Sequence, residues 1–249
     1  MGRWGFGAIA LLLLFTGVVS PLLAADDIDA TLDGQSAAYP DPYERMNRRT
    51  LAFNGHVDDW VISPMARAYD SALPNPVRAG FRNFFANLQA PAQLVNDLLQ
   101  GEWHEAGSTV ARFAINTVAG FAGLVDTASH IGIAPHSSDF GQTLARGGVS
   151  SGPYLILPLI GPTTVRDGLG VLVDAALNPT IYLLGPVSPL VTASITEGSS
   201  GFTERAARDD DLRQLRASSV DYYAALRSAY SQNRMAETGE RPSLTKPPT

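Results

Sequence analysis

Ser150 lies in the segment of this sequence that most resembles a catalytic motif. It lies in Gly-Val-Ser-Ser-Gly, residues 148–152, which fits the G-x-S-x-G pattern of a hydrolase nucleophile elbow. In such an elbow a strand precedes the serine, and the partner histidine follows it in the chain. The histidines here all precede it, namely His56, His104, His130 and His136. Other hydrolase folds do place the histidine first, but no strand pattern leads into Ser150, and we interpret it as a turn residue.

Metal and cofactor motifs are incomplete in this sequence. His104 and Glu105 begin the zinc pattern H-E-x-x-H, but Ser108 takes the place of the second histidine, and the chain contains no cysteine. Gly168 and Gly170 begin a dinucleotide-loop pattern that lacks its third glycine. Glycines in such an apolar, helix-like run are more typical of close helix packing. We therefore predict no enzymatic activity, no metal and no cofactor.

The segments that must position these residues have helical periodicity. Asn75-Pro76 predicts a helix start, and apolar residues then recur every three or four positions up to Gln89. Pro91 predicts the start of a second helix that ends near Gly101. Residues 102–126 and 209–234 show the same periodicity, so the sequence predicts an all-α fold.

Three further segments are apolar on nearly every side: FAINTVAGFAGLV, PYLILPLIGP and GLGVLVDAALNPTIYLLGPVSPLV. None is an uninterrupted run of the ~20 residues that cross a bilayer, because glycine or proline breaks each one. Helices embedded in one membrane leaflet would produce this pattern, and so would the buried core of an ordinary helical protein. The residues alone leave both alternatives open.

The composition argues for an exported chain that does not bind nucleic acid. Of 249 residues 45% are hydrophobic and 17% charged, and the formal charge is −6 with Lys246 as the only lysine, whereas nucleic-acid binding needs a dense basic face. Residues 1–25 fit a cleaved signal peptide, with an uncleaved anchor as the alternative. We expect a flexible acidic leader at 26–40, one helical domain at 41–234 and a disordered polar tail at 235–249.

Several motifs, taken in order, resemble one known family. They are DPYERMNRRTLAFN, NFFANLQAPAQLVNDLLQG, RFAINTVAGFAGLVD, and the D-F-G-Q-T-L, G-P-Y, L-P and G-P-x-x-x-R-D elements between residues 139 and 167. The chain resembles the MlaA family, also called VacJ, of outer-membrane phospholipid-transport proteins. The resemblance runs from Asp41 to about Gln232. Typical members begin with a lipid-carrying cysteine that this sequence lacks, so we expect membrane attachment through embedded helices.

The resemblance implies a ring-like, all-α arrangement of short amphipathic and apolar helices with a Gly/Pro-rich hairpin region. These helices would be embedded in one membrane leaflet, the inner leaflet of the outer membrane, facing the periplasm. Misplaced phospholipids would leave the outer leaflet through an amphipathic pore. The implied partners are phospholipid, a trimeric outer-membrane porin and the periplasmic lipid carrier MlaC. A porin-associated structural protein that moves no lipid is the alternative.

The same resemblance directs attention to two sets of residues. The candidates for pairing with lipid headgroups are Arg112, Arg146 and Arg166, although Arg166 and Asp167 could instead cap helices or pair with acids in the scaffold. The candidates for a hinge-like turn and a proline-interrupted embedded helix beside the pore are Gly147, Gly148, Gly152, Pro153, Tyr154, Leu157 and Pro158. We interpret Asn47, Arg48 and Asn116 as hydrogen-bonding scaffold residues.

Overall fold

Helices account for most of the chain that the structure describes. The computed structural model describes residues 38–179, 216 and 218–240. The predictions for the signal peptide, most of the leader, the apolar segment beyond residue 179 and residues 241–249 therefore lie outside the described residues. The helices are α1 (Glu44–Val57), α2 (Ser63–Ala72), α3 (Asn75–Leu99), α4 (Trp103–Val118), α5 (Thr127–His130), α6 (Phe140–Arg146), α7 (Val165–Leu177) and α8 (Tyr222–Thr238), with a π-helical turn, Asp58–Ile62, between α1 and α2. Strands β1 (Tyr154–Leu157) and β2 (Gly161–Thr164) complete the set.

α3 is one helix of 25 residues, and the predicted break near Gln89 is wrong. Pro91 lies inside it, where the missing N–H and the ring typically cost ~3 kcal/mol. Polar anchors on both sides of the proline keep the helix continuous. Asn87 donates to Thr117 Oγ1 at 3.0 Å, and Asn96 donates to Asp174 Oδ1 at 2.7 Å. Tertiary packing against α4 and α7 thus outweighs the local signal at Pro91.

Residues 154–164 form a β-hairpin, so the embedded helix predicted for this apolar segment is wrong. β1 and β2 pair antiparallel, with Tyr154 opposite Thr164 and Leu157 opposite Gly161. Proline cannot donate to a helical ladder, whereas Pro162 is accommodated on the short second strand. The hairpin packs against α1, α7 and α8, so it belongs to the folded domain.

Two asparagines of α1 hold the free edge of β1. Asn47 donates to the Tyr154 carbonyl at 3.1 Å and accepts from the Ile156 N–H at 2.9 Å. Asn54, seven residues further along the same face, repeats this pattern with the Leu157 carbonyl and the Leu159 N–H. Both side chains are fully buried. Asn47 is thus confirmed as a scaffold residue, and the helix amides take the place of a third strand.

The domain boundaries differ from the predicted ones at both ends. Tyr39, assigned to the leader, is 4% exposed and packs in a small core with Tyr154, Tyr223 and Met235. α8 begins after Asp221, whose side chain accepts from the Ala224 N–H, and continues to Thr238. The disordered tail predicted from residue 235 is therefore wrong for residues 235–238, because they continue α8 and Met235 contributes to the core.

The interior is rich in polar residues, and several helices expose apolar residues. Among the described residues, seventeen buried residues are polar or charged and twelve are hydrophobic, the reverse of the usual order in water-soluble proteins. On α4, Val110 and Val118 are exposed while Thr109 and Asn116 are buried, and on α7, Leu169 and Leu172 are exposed while Arg166 is buried. Among the described residues, no helix combines the length and apolar character needed to cross a bilayer.

Candidate functional site

A cavity of about 100 Å³ lies between the inward faces of α3 and α4. We call it the α3–α4 groove. Its lining is formed by Asn83, Ala86, Asn87, Ala90, Gln93, Thr109, Arg112, Phe113, Asn116, Asp126, Pro135 and His136. Polar side chains dominate this wall, whereas the outward face of the same helix α4 is apolar. Phe113 lines the groove and is also 39% exposed, so it lies where the two surfaces meet.

Arg112 and Asp126 form the central ion pair of the groove. The Arg112 Nη2 atom lies 3.0 Å from Asp126 Oδ1 and 2.9 Å from Asp126 Oδ2, while Nη1 donates to Ser129 Oγ and to the Ile133 carbonyl. Partial burial raises the pKa of Asp126, but hydrogen bonds from Ser129, Arg112 and Asn116 outweigh it and lower the pKa to about 2. Asp126 is therefore ionised at neutral pH, and Arg112 is engaged by the protein.

The loop after α4 explains the spacing of the motif that contains Arg112. Asn116 donates to Asp126 and accepts from the Ala128 N–H at 2.9 Å, so it ties the loop to the helix. Gly123 has φ +94°, and a Cβ there would lie 2.5 Å from the Asn87 Cβ. Only glycine fits this turn, which brings Asp126 back over Arg112 and packs the loop against α3. Asn116 is confirmed as a scaffold residue.

His136 forms another wall of the groove, between two carboxylates. Its Nε2 atom lies 3.2 Å from both Asp97 oxygens, and its Nδ1 atom lies 3.2 Å from Glu105 Oε2. Asp97 is fully buried and accepts from Thr109 Oγ1 at 2.6 Å. The sequence analysis did not single out His136 or Asp97, because they lie 39 residues apart and only the packing of α3 on α4 brings them together.

The three predicted headgroup arginines do not converge on one site. Arg112 lines the groove. Arg146, on exposed α6, pairs with Glu102 and donates to the Gln100 carbonyl. The Arg166 side chain is fully buried, where it pairs with Asp167 and Glu240 and donates to the Val149 carbonyl. This geometry fits the alternative in which Arg166 and Asp167 are scaffold residues. A headgroup role for Arg146 and Arg166 stays a prediction.

The hinge and pore candidates lie elsewhere, at the start of the hairpin. Gly147 caps the end of α6, Gly148 and Gly152 have φ values of +82° and +70°, and Ser150 is exposed in the irregular segment between them. The remaining candidates differ in burial: Pro153 and Leu157 are half-buried, Tyr154 is fully buried, and Pro158 is exposed in the hairpin turn. None of these residues lines the α3–α4 groove. The hinge is untested by this geometry and stays a prediction.

Groove residues on α3 left a weak signal in the sequence. Asn83, Asn87, Ala90 and Gln93 recur every three or four positions, so they share one face of the helix. The sequence analysis followed the apolar residues of α3 and did not consider the opposite face. α3 also exposes its apolar face. Its polar face can therefore be recognised as a groove wall only once α4 is packed against it.

The structure combines a polar interior, a polar groove and exposed apolar helix faces. This combination is typical of the class of helical proteins that contact lipid. The comparisons with known proteins place it more narrowly. A family model described as MlaA lipoprotein matches residues 39–237. The chain therefore belongs to the MlaA family, which confirms the resemblance stated from its motifs.

Curated relatives agree with this assignment. An intermembrane phospholipid transport system lipoprotein, MlaA, of Escherichia coli strain K12 is 36% identical over 198 residues, covering 77% of this chain and 76% of that protein. An uncharacterized protein of Rickettsia typhi is 35% identical over 197 residues, covering 79% and 77%. A solved chain, from work on the structural basis for maintenance of bacterial outer membrane lipid asymmetry, matches with a TM-score of 0.68 and 34% identity, covering 80% of this chain and 98% of that one.

Proposed function

We propose that this protein is a component of an intermembrane phospholipid transport system and maintains the lipid asymmetry of the bacterial outer membrane. The observation that carries this proposal is a polar groove beside exposed apolar helix faces, in a chain of the MlaA family. The names of its relatives state the same function for those proteins. The groove supplies a physical means of moving a lipid without covalent chemistry.

A phospholipid that leaves a leaflet has two incompatible parts. Its tails stay in hydrocarbon, while its charged headgroup must remain wet or hydrogen-bonded, because an unpaired charge in an apolar medium is very costly. The α3–α4 groove offers polar partners directly behind an apolar helix face, with Phe113 at the boundary. A lipid lying along α4 can therefore keep its tails outside while its headgroup enters the groove.

The location and partners form the finer part of the proposal. We place the helices in the inner leaflet of the outer membrane in a ring-like arrangement, facing the periplasm, with export by a cleaved signal peptide. Lipid would enter through an amphipathic pore beside a trimeric porin and pass to the periplasmic carrier MlaC. Short helices with exposed apolar faces support this placement, because such helices lie in an interface instead of crossing it.

The test is an assay of phospholipid in the outer leaflet of cells that lack this protein, with detergent sensitivity as a second readout. We expect outer-leaflet phospholipid to rise in these cells and to fall again when the wild-type chain is restored. Ser150→Ala should restore it equally, because transport needs no nucleophile. A porin-associated structural role is favoured instead if the deletion leaves outer-leaflet phospholipid unchanged, although the protein is membrane-bound in wild-type cells.

A further inference from the structure

The α3–α4 groove presents hydrogen-bond acceptors and few available donors. Asn83 donates its amide N–H to the Leu124 carbonyl at 3.3 Å, and Gln93 donates to the His136 carbonyl at 2.7 Å. A backbone carbonyl can only accept, so these bonds fix which end of each amide carries the nitrogen. The oxygen ends of Asn83 and Gln93 then have no protein partner among the described residues.

Asn87 adds a third amide on the same face of α3. It donates to Thr117 Oγ1 at 3.0 Å, and its oxygen likewise has no partner in the described part of the chain. All three residues line the groove. Asn83 and Asn87 are four residues apart and share one face of the helix, and Gln93 lines the groove further along it.

The cationic groups of the groove are already engaged. Both terminal nitrogens of Arg112 donate to Asp126, Ser129 and the Ile133 carbonyl. An anionic phosphate would therefore have to displace bonds that hold the loop after α4. It would also approach a site where negative charge is in excess.

The charges around the groove favour a positively charged ligand. Asp97, Glu105 and Asp126 bring three carboxyl groups, against Arg112 as the fixed cation. His136 lies between Asp97 and Glu105, and even with its ring counted as a cation the carboxylates outnumber the cations by three to two. The groove is therefore complementary to a cation and not to an anion.

We propose that the α3–α4 groove binds the primary ammonium end of an amine-bearing phospholipid headgroup, of the phosphatidylethanolamine class. A primary ammonium group has N–H donors that can bond to the amide oxygens of the groove, whereas a quaternary ammonium group has none. The cavity of about 100 Å³ is large enough for an aminoethyl group, with the phosphate left at the mouth. This inference rests on the proposed transport function and names the lipid that the groove selects.

The experiment measures binding of three lipids with identical short acyl chains to the detergent-solubilised full chain: phosphatidylethanolamine, phosphatidylcholine and phosphatidylglycerol. We expect the ethanolamine lipid to bind about tenfold more tightly than either of the others, the effect of one hydrogen bond to a charged group. This series uses the unmodified protein, so its result does not depend on whether a variant folds. Equal affinities, or tightest binding of the glycerol lipid, would overturn the inference.

Ala86→Lys places a competing ammonium group in the groove lining without removing a hydrogen bond. It should abolish the preference for the ethanolamine lipid and leave binding of the other two within about twofold. Ala236→Lys, on the exposed surface of α8, is the matched control and should retain the preference. An equal loss for all three lipids with Ala86→Lys would mean simple obstruction and would contradict the headgroup assignment.

The two proposals fail in different ways. If the chain binds all three lipids without preference and restores outer-leaflet asymmetry, only the headgroup assignment is wrong. If it binds none of them and does not restore asymmetry, the transport function is wrong as well.

Discussion

At the scale of single residues, this protein is held together by polar pairs that would be unusual in a water-soluble core. Arg234 is buried between Asp139 and Asp167, at 2.7 Å and 2.9 Å, and thereby joins α8 to α6 and α7. Arg112 and Asp126 do the same for α4 and its loop. Burying an ion costs several kcal/mol unless its partner is in place, so each pair fixes the position of the elements that carry it.

Asp126→Asn tests the pair in the groove. The amide keeps a side-chain oxygen to cap α5 but removes the charge that pairs with Arg112, so we expect a loss of about 1–3 kcal/mol in the free energy of unfolding at pH 7. Urea unfolding of both proteins measures it. A variant as stable as the wild type would mean that the ion pair contributes nothing net.

The same pair predicts a pH dependence. Because the pKa of Asp126 is lowered in the folded state to about 2, its contribution is complete above the ordinary carboxyl pKa of about 4 and disappears as the pH falls towards 2. The stability difference between wild type and Asp126→Asn should shrink over that range. Burial raises the pKa of Asp174 to about 6, but Asp174 is present in both proteins, so its effect cancels in the difference.

At the scale of elements, close packing of α6 on α7 organises the half of the domain that contains the hairpin. A Cβ at Gly170 would lie 2.5 Å from the backbone nitrogen of Gly141. The expectation that glycines in this run allow close helix packing is confirmed at Gly170. The preceding glycine, Gly168, has a different environment, since a Cβ there would meet only side-chain atoms at 3.6 Å or more.

Gly170→Ala and Gly168→Ala therefore form a matched pair. Gly170→Ala should lower the free energy of unfolding by about 1–3 kcal/mol, because the helices must separate. Gly168→Ala should be neutral or stabilise by up to ~1 kcal/mol, because alanine is the better helix former. Chemical unfolding of the two variants compares them directly. Equal effects would show that α6 and α7 are not in the close contact described.

Across the whole molecule, most buried residues are polar, and several helices carry exposed apolar faces. Val118 is 85% exposed and Phe121 is 76% exposed at the end of α4. In water, exposed apolar residues of this size and number would favour aggregation. In a membrane they would be the contact surface, which is the embedded alternative that we propose.

Val118→Asp distinguishes these environments. On a water-exposed surface the change should alter stability by no more than ~0.5 kcal/mol, whereas an aspartate at membrane depth costs roughly 2.5–3.5 kcal/mol on insertion scales. We expect a clear loss of protein from the membrane fraction, measured by fractionation and immunoblotting. Ala236→Asp on exposed α8 serves as the control. Wild-type membrane abundance for Val118→Asp would place this face in water.

The class of the fold, the family and the function that the family implies could be predicted from the sequence alone. Helix starts follow from local chemistry, such as Asn75-Pro76, and ordered motifs such as RFAINTVAGFAGLVD keep their spacing because Arg112, Asn116, Gly123 and Asp126 contact one another locally. These signals depend on residues near each other in the chain. Periodicity and motif spacing could therefore predict them.

The β-hairpin, the continuity of α3 and the α3–α4 groove could be recognised only in the tertiary structure. Apolar residues 154–157 fit a helix or a strand equally well, and the choice depends on Asn47 and Asn54, more than a hundred residues away, which satisfy the edge of β1. The groove likewise unites Gln93, Arg112 and His136 from three segments. Hydrogen bonds over such sequence separations produce no periodic pattern in the sequence. Each partner is an isolated polar residue until the fold brings the two together.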